Sequence, residues 1–301
     1  MNKKIISSIY LLIVAIIWGL AFVAQTTGME HLGPFGFSMS RSIVAGIFMF
    51  LLTIIIPKFV KYDKERVEGY IDTTINLKAG IVSGIVLFLA MNAQQIGLQY
   101  TTPGKAGFIT ALYIVIIPIM RTFMGKRLSL RITICVIFAM TGMYLLSVKE
   151  NFTVNFGDFI VFISAIFYSV HTLVLSYYSI RTDSLRLNMF QFLICGIISG
   201  IFSIIFKENI SPESIKLAMV SILYVGILSS GVAYTLQIVA LRNIDPTIAS
   251  LINSLEAIFA ALGGYLILGQ ILTEREVIGC AIMFIAIVIA QLPARKDMEN
   301  D

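Results

Sequence analysis

Three ionisable side chains, Glu256, Arg41 and His171, fall inside long apolar runs of the chain. An ionised group at the centre of a membrane helix costs roughly 3 kcal/mol on insertion scales, so each one marks a bundle contact or a pathway. Glu256 sits about nine residues into its run, hence ~14 Å deep at ~1.5 Å per residue. On a helix it shares a face with Ala249, Asn253, Ala260 and Gly263, while Leu251, Leu255, Ile258, Leu262 and Leu266 take the opposite face. The small, polar face is the inward one. Two readings of Glu256 stand: a carboxyl that exchanges a proton or binds a cation, or a structural carboxyl bonded to a neighbouring helix through Asn253.

Arg41 lies about five residues inside its run, ~8 Å deep. There it either snorkels to the headgroups or turns its planar fork inward to hold a carboxylate, on a substrate or on Glu256. Asn92, Gln95 and Gln99 share one helical face, with Gln94 beside them. Amides at that spacing line a wet cavity or bond between helices. Trp18 and Tyr168 stand near mid-depth rather than at the interfaces where aromatic belts form. They either stack on an organic solute or pack in the core. His171 lies one turn beyond Tyr168 on the same face, as a proton relay or as a packed histidine. Ser230, Tyr234 and Gln237 make a further polar stripe.

These groups need spanning helices to hold them. Apolar residues make up 58% of the chain and charged residues 13%, with a mean hydropathy of +0.91. In water that composition would leave one apolar surface, and it excludes disorder. A span takes about 20 apolar residues across a ~30 Å core. Ten runs qualify: 6–26, 36–56, 79–99, 106–124, 129–148, 158–178, 188–206, 216–236, 247–268 and 275–292. They are continuous rather than alternating, which points to helices and not to a barrel. The first, behind Lys3 and Lys4, is longer than a signal-peptide core of ~7–15 residues and reads as a retained span. With the N-terminus inside, sixteen of the 22 Lys and Arg residues fall on the cytoplasmic side, which places both termini in the cytoplasm.

Several classes drop out. Cys135, Cys195 and Cys280 are odd in number and lack metal-ligand spacing, so they read as small buried hydrophobes. There is no P-loop, HExxH or GxSxG, hence no direct ATP drive, no catalytic cluster and no expected cofactor. The cations form short clusters, with no basic face for nucleic acid.

The second half repeats the first. TTPGKAGFITALYIVIIPIM (101–120) lies over IDPTIASLINSLEAIFAALG (244–263) at an offset of 143, and GKRLS (125–129) matches GQILT (269–273) one residue later. AIIWGLAF (15–22) lies over AIFYSVHT (165–172) at an offset of 150, pairing Trp18 with Tyr168, and Arg41 falls on Gln191. Each copy holds five spans, an odd number, so the second enters the membrane from the opposite face. Inverted repeats of this kind typify secondary transporters, whose site lies between the halves. The segments GKRLSLRITICVIFAMTGMYLLS and NSLEAIFAALGGYLILGQILTEREVIGCAIMFIAIVIAQ, with WGLAF near the start, resemble the two EamA repeats of the drug/metabolite transporter superfamily. Two positions depart from the family pattern: Gln270, where members often carry Glu, and Ala257, where Pro is common. The resemblance implies a ten-helix carrier that moves small metabolites by alternating access.

The expectation is therefore an all-α polytopic protein of the plasma (inner) membrane, with ten transmembrane helices in two inverted five-helix repeats, 6–148 and 158–292. Its partners are the bilayer, a small organic solute and protons. The expected function is transport of an amino-acid-like or similarly polar solute, with export favoured by the resemblance. Glu256, Arg41, Trp18, Tyr168, His171, Asn92, Gln95 and Asn253 are the expected site. The rivals are a multidrug or lipid-linked-solute carrier, which wants a more apolar cavity, and a membrane-embedded lipid-modifying enzyme using Glu256 and His171 as acid and base.

Overall fold

The computed structural model describes residues 3–59, 73–126, 128–147, 154–268 and 273–291. Most of the longest connection (60–72), the turn 148–153, and Gln270 with the rest of the 269–272 match lie outside the described residues.

Every described element is a helix. In order they are α1 (Lys3–Met29), α2 (Pro34–Phe59), α3 (Thr73–Leu98), α4 (Pro103–Thr110), α5 (Tyr113–Phe123), α6 (Leu130–Ser147), α7 (Phe156–Ser179), α8 (Ser184–Ile205), α9 (Pro212–Leu217) and α10 (Met219–Leu223). A π-helical segment (Tyr224–Ala233) follows, then α11 (Tyr234–Ala240), α12 (Pro246–Asn253), α13 (Glu256–Leu268) and α14 (Glu274–Gln291). Among the described residues seven helical stretches are long and apolar enough to cross a membrane: α1, Pro34–Ile55, α3, Pro103–Phe123, α7, α8 and Met219–Ala240. Leu130–Leu146 and Pro246–Leu262 are shorter apolar helices.

Side chains are sorted as a bundle in lipid requires. Ile47, Phe50, Ile204 and Phe284 are exposed, whereas Ser42, Asn76, Gln95, Arg41 and Glu256 are buried. In hydrocarbon, helices gain nothing by hiding apolar surface, so they associate through close packing and interhelical hydrogen bonds. Both devices are present. Where α6 crosses α14, a Cβ on Gly142 would stand 2.6 Å from the Gly279 carbonyl oxygen, and one on Gly279 would stand 2.5 Å from that of Gly142. Where α3 meets α7, Gly97 and Gly157 face each other in the same way. Across the chain's middle, Glu208 accepts from the backbone N–H groups of Phe35 (3.1 Å) and Gly36 (2.6 Å). A carboxylate there satisfies orphan donors at the positive end of α2.

Two helical stretches are broken, and alike. α4 and α12 each start with a side-chain cap followed by proline: Thr102 before Pro103, Asp245 before Pro246. α4 ends at Thr110 and α12 at Asn253; α5 resumes at Tyr113 and α13 at Glu256. Each of these positions is 143 residues from its counterpart. The junctions share one hydrogen-bond pattern of tightened turns, Leu112 N to Ile109 O and Ile114 N to Ala111 O in the first, Leu255 N to Ile252 O and Ala257 N to Ser254 O in the second, all at 3.1 Å. Three-residue turns of this sort interrupt the α ladder and mark hinges. Pro118, a residue that can kink a helix, lies instead within the continuous α5.

Candidate functional site

α2 carries Arg41 into the bundle against the π segment. Gly226 makes the approach possible, since a Cβ there would stand 3.0 Å from the Arg41 carbonyl oxygen. The guanidinium, 3% exposed, spreads its donors over neutral oxygens. Nη1 donates to Gln25 Oε1 at 2.8 Å, Nη2 to Ser230 Oγ at 3.1 Å and Ser229 Oγ at 3.5 Å, and Nε to Ser230 Oγ at 3.3 Å. Gln25 Oε1 also accepts from Gln95 Nε2. Among the described residues no carboxylate pairs with Arg41.

The π segment is itself held from outside. Its wider turns displace carbonyls from the regular ladder, and such segments gather at functional sites. Trp18 Nε1 donates to Ser229 O at 3.3 Å. Asn188 Nδ2 reaches Gly231 O at 2.9 Å and Ser230 O at 3.1 Å. Asn188 Oδ1 accepts from Gln191 Nε2 at 2.7 Å, and Gln191 Oε1 meets His171 Nε2 at 3.0 Å. That orientation makes Gln191 Oε1 an acceptor, so His171 Nε2 carries a proton. A continuous polar chain thus links His171 to the backbone that presents Ser230 to Arg41.

Glu256 opens α13 immediately after its break. It is 3% exposed, and Tyr113 Oη donates to its Oε1 at 2.9 Å. Tyr113 opens α5 in the same way, so the two residues that restart the broken helices are bonded to each other. Gly19 brings α1 close, since a Cβ there would lie 2.6 Å from the Glu256 carbonyl oxygen.

Between these elements lies a cavity. Glu256, Arg41, Trp18, Tyr168, His171 and Asn253 all line it. Gln95 reaches it through Gln25. Asn92 does not: its Nδ2 donates to Ser199 Oγ on α8 at 2.9 Å and to its own helix at Phe88 O. The sequence reading passed over Gln25, Tyr113 and Ser229, which also line the cavity. Gln25 carried a signal, as an amide near the end of an apolar run. Tyr113 carried none of its own; its meaning comes from a partner 143 residues away. The structural reading of Glu256 gave it Asn253 as a partner; its bond is to Tyr113 instead. The aromatic wall is continuous, with Trp18 and Tyr234 ring centroids 4.9 Å apart and Tyr234 and His171 5.8 Å apart. Among the described residues no cluster of His, Cys, Asp and Glu could hold a metal ion.

Comparisons with known proteins agree with this architecture. A solved crystal structure superposes with a TM-score of 0.78 over 96% of this chain and 98% of that one, at 16% identity, which speaks for the fold. An uncharacterized transporter of Archaeoglobus fulgidus is 28% identical over 291 residues, covering 96% of this chain and 87% of that protein. The uncharacterized transporter YoaV of Bacillus subtilis is 22% identical, covering 90% and 91%. A chloroplastic WAT1-related protein of Arabidopsis thaliana is 22% identical, covering 93% of this chain and 68% of its own length. The model of the EamA-like transporter family matches residues 5–148 and again 155–291. With nearly the whole chain accounted for by two successive matches to that model, the protein is a membrane transporter rather than an enzyme, and it belongs to the EamA-like transporter family.

Proposed function

We propose that the protein is a secondary carrier that exports a small, polar, amino-acid-like solute by alternating access, with Arg41 holding the solute's carboxylate and Glu256 exchanging a proton. The observation that carries this reading is the surroundings of Arg41. A buried guanidinium with neutral neighbours alone keeps an uncompensated charge, which is costly in a low dielectric. A planar fork on a cavity wall matches a carboxylate two-fold, and a bound anion would supply the missing charge. Glu256 on the same cavity offers a group whose proton can leave as the cavity changes sides.

Alternating access is supported by the paired breaks. Discontinuous helices at corresponding positions of two halves are a feature of carriers built from inverted repeats, and the reading takes the repeats as 6–148 and 158–292 in a ten-span chain with cytoplasmic termini. The direction follows from the family resemblance.

The test is transport by purified protein in proteoliposomes under an imposed pH gradient. Glu256→Gln keeps shape and hydrogen bonding but removes the titratable proton. The variant is expected to fold and insert while losing the dependence of accumulation on the gradient. Accumulation equal to that of the parent would leave Glu256 with a structural role.

A further inference from the structure

Two ion pairs join the halves of the chain at opposite ends of the broken helices. Lys105 Nζ of α4 meets Asp158 Oδ2 of α7 at 2.5 Å, and Thr101 Oγ1 donates to Asp158 Oδ1 at 2.6 Å. Arg121 Nη1 of α5 meets Asp245 Oδ1, in the residue that caps α12, and donates to Thr247 Oγ1 at 3.0 Å. In each pair the cation belongs to the first segment matched by the family model and the carboxylate to the second. Lys105 and Arg121 stand sixteen residues apart on one broken stretch, roughly 24 Å at ~1.5 Å per residue. The bond from Tyr113 to Glu256, on the cavity wall, falls between them.

What the pairs hold are two short helices. α4 and α12 have eight residues each, fastened near the start by an ion pair and ending in the tightened turns beside the cavity. Between fastening and break each has an apolar face. Ala106 and Ile109 of α4 pack with Phe22, Leu98 and Val161, and Ala249 and Ile252 of α12 join the core that holds Ile114 and Ile117 of α5. These faces repeat at the offset of 143, but the fastenings do not: Lys105 falls on Ile248, and Asp245 on Thr102. In lipid, apolar faces are not driven together by hiding from water, so charge is what holds each helix to the opposite half. The attraction fades as water raises the local dielectric. The Asp158 side chain is 2% exposed and that of Asp245 39%, which makes the second fastening the weaker.

We propose that Lys105–Asp158 and Arg121–Asp245 are the two latches of the transport cycle. Release of the first frees α4 to pivot at its break and opens the cavity to the face where α4 begins. Release of the second frees α12 and opens the cavity to the opposite face. The inference rests on the alternating-access reading above and names the residues that carry out its two openings.

The test uses the full-length protein with Cys135, Cys195 and Cys280 replaced and one reporter, Thr172→Cys, on the cavity wall. Its modification by a charged, impermeant methanethiosulfonate is timed in right-side-out and in inverted vesicles. Lys105→Gln and Arg121→Gln remove the cations and spare Asp158 and Asp245, which cap their helices. Lys105→Gln is expected to speed modification roughly tenfold from the α4 face alone, the size of one charged hydrogen bond. Arg121→Gln is expected to speed it about two- to fivefold from the opposite face alone, as befits a partly exposed pair. Lys105→Arg, which keeps the charge, is expected to retain the parental rates. Each latch is tested on its own, so failure of one variant to insert leaves the other decisive.

A parent modified from both faces, with neither variant changing either rate, would overturn the latches and leave alternating access intact. Acceleration from both faces by one substitution would mean general loosening of the bundle, and would overturn them too. Modification from one and the same face in the parent and in both variants would overturn alternating access, and the latches with it.

Discussion

Arg41 and Glu256 share a cavity, yet among the described residues each is bonded only to neutral groups. That arrangement predicts unequal responses to conservative changes. Arg41→Lys keeps the charge but replaces a fork with a point. Its apparent affinity for a carboxylate solute is expected to fall at least roughly tenfold, equivalent to one charged hydrogen bond of ~1.5 kcal/mol. Tyr113→Phe removes the phenol that positions Glu256 but keeps the carboxyl. Transport is expected to weaken several-fold while its dependence on the pH gradient persists, unlike Glu256→Gln; loss of the gradient dependence in proteoliposomes would place Tyr113 in the proton step itself. Much of this site was legible in the sequence, because a Glu or an Arg inside an apolar run is conspicuous whatever surrounds it. Asn92 shows the limit. Helical spacing put it with Gln95, but its bond to Ser199 depends on which helix packs there, and no local pattern encodes that.

Helical elements are shaped here by what touches them. The breaks after Thr110 and Asn253 fall where the sequence has no Gly or Pro, while Pro118 sits inside α5. A reading at 3.6 residues per turn is equally blind to the π segment, whose carbonyls are met by Trp18 and Asn188 from α1 and α8. Close packing likewise depends on a pair, Gly142 of α6 against Gly279 of α14. Gly142→Leu is expected to drive α6 from α14, lowering stability by about 1–3 kcal/mol as overpacked sites do. Gly104→Ala, where an added Cβ meets nothing within 4 Å, is the control. Equal thermal midpoints for the two variants would mean that α6 and α14 do not depend on that crossing.

For the whole molecule, the inverted arrangement makes a claim about sides. Two five-span halves entering from opposite faces, as proposed, would put the 150–157 and 270–274 connections outside and both termini inside. Single cysteines placed there, after replacement of Cys135, Cys195 and Cys280, are expected to react with an impermeant maleimide added to intact cells. Reaction only after permeabilisation would remove the inverted-repeat argument and, with it, the proposed route of alternating access. The 16-to-6 partition of cations is the sequence observation on which this proposed topology rests. What composition left open was which faces meet, because in lipid that choice rests on glycine contacts and buried amides rather than on apolar area.

The chain contains a single tryptophan, and it is Trp18, on the cavity wall with its indole donating to the π segment and its ring against Tyr234. All indole emission of the protein therefore comes from one point at the centre of the site. Filling of the cavity, rearrangement of the π segment, or entry of water when the halves change places would each alter the spectrum without any attached dye. The protein is in effect its own optical probe, and a stopped-flow trace of native emission would time the steps of its transport cycle.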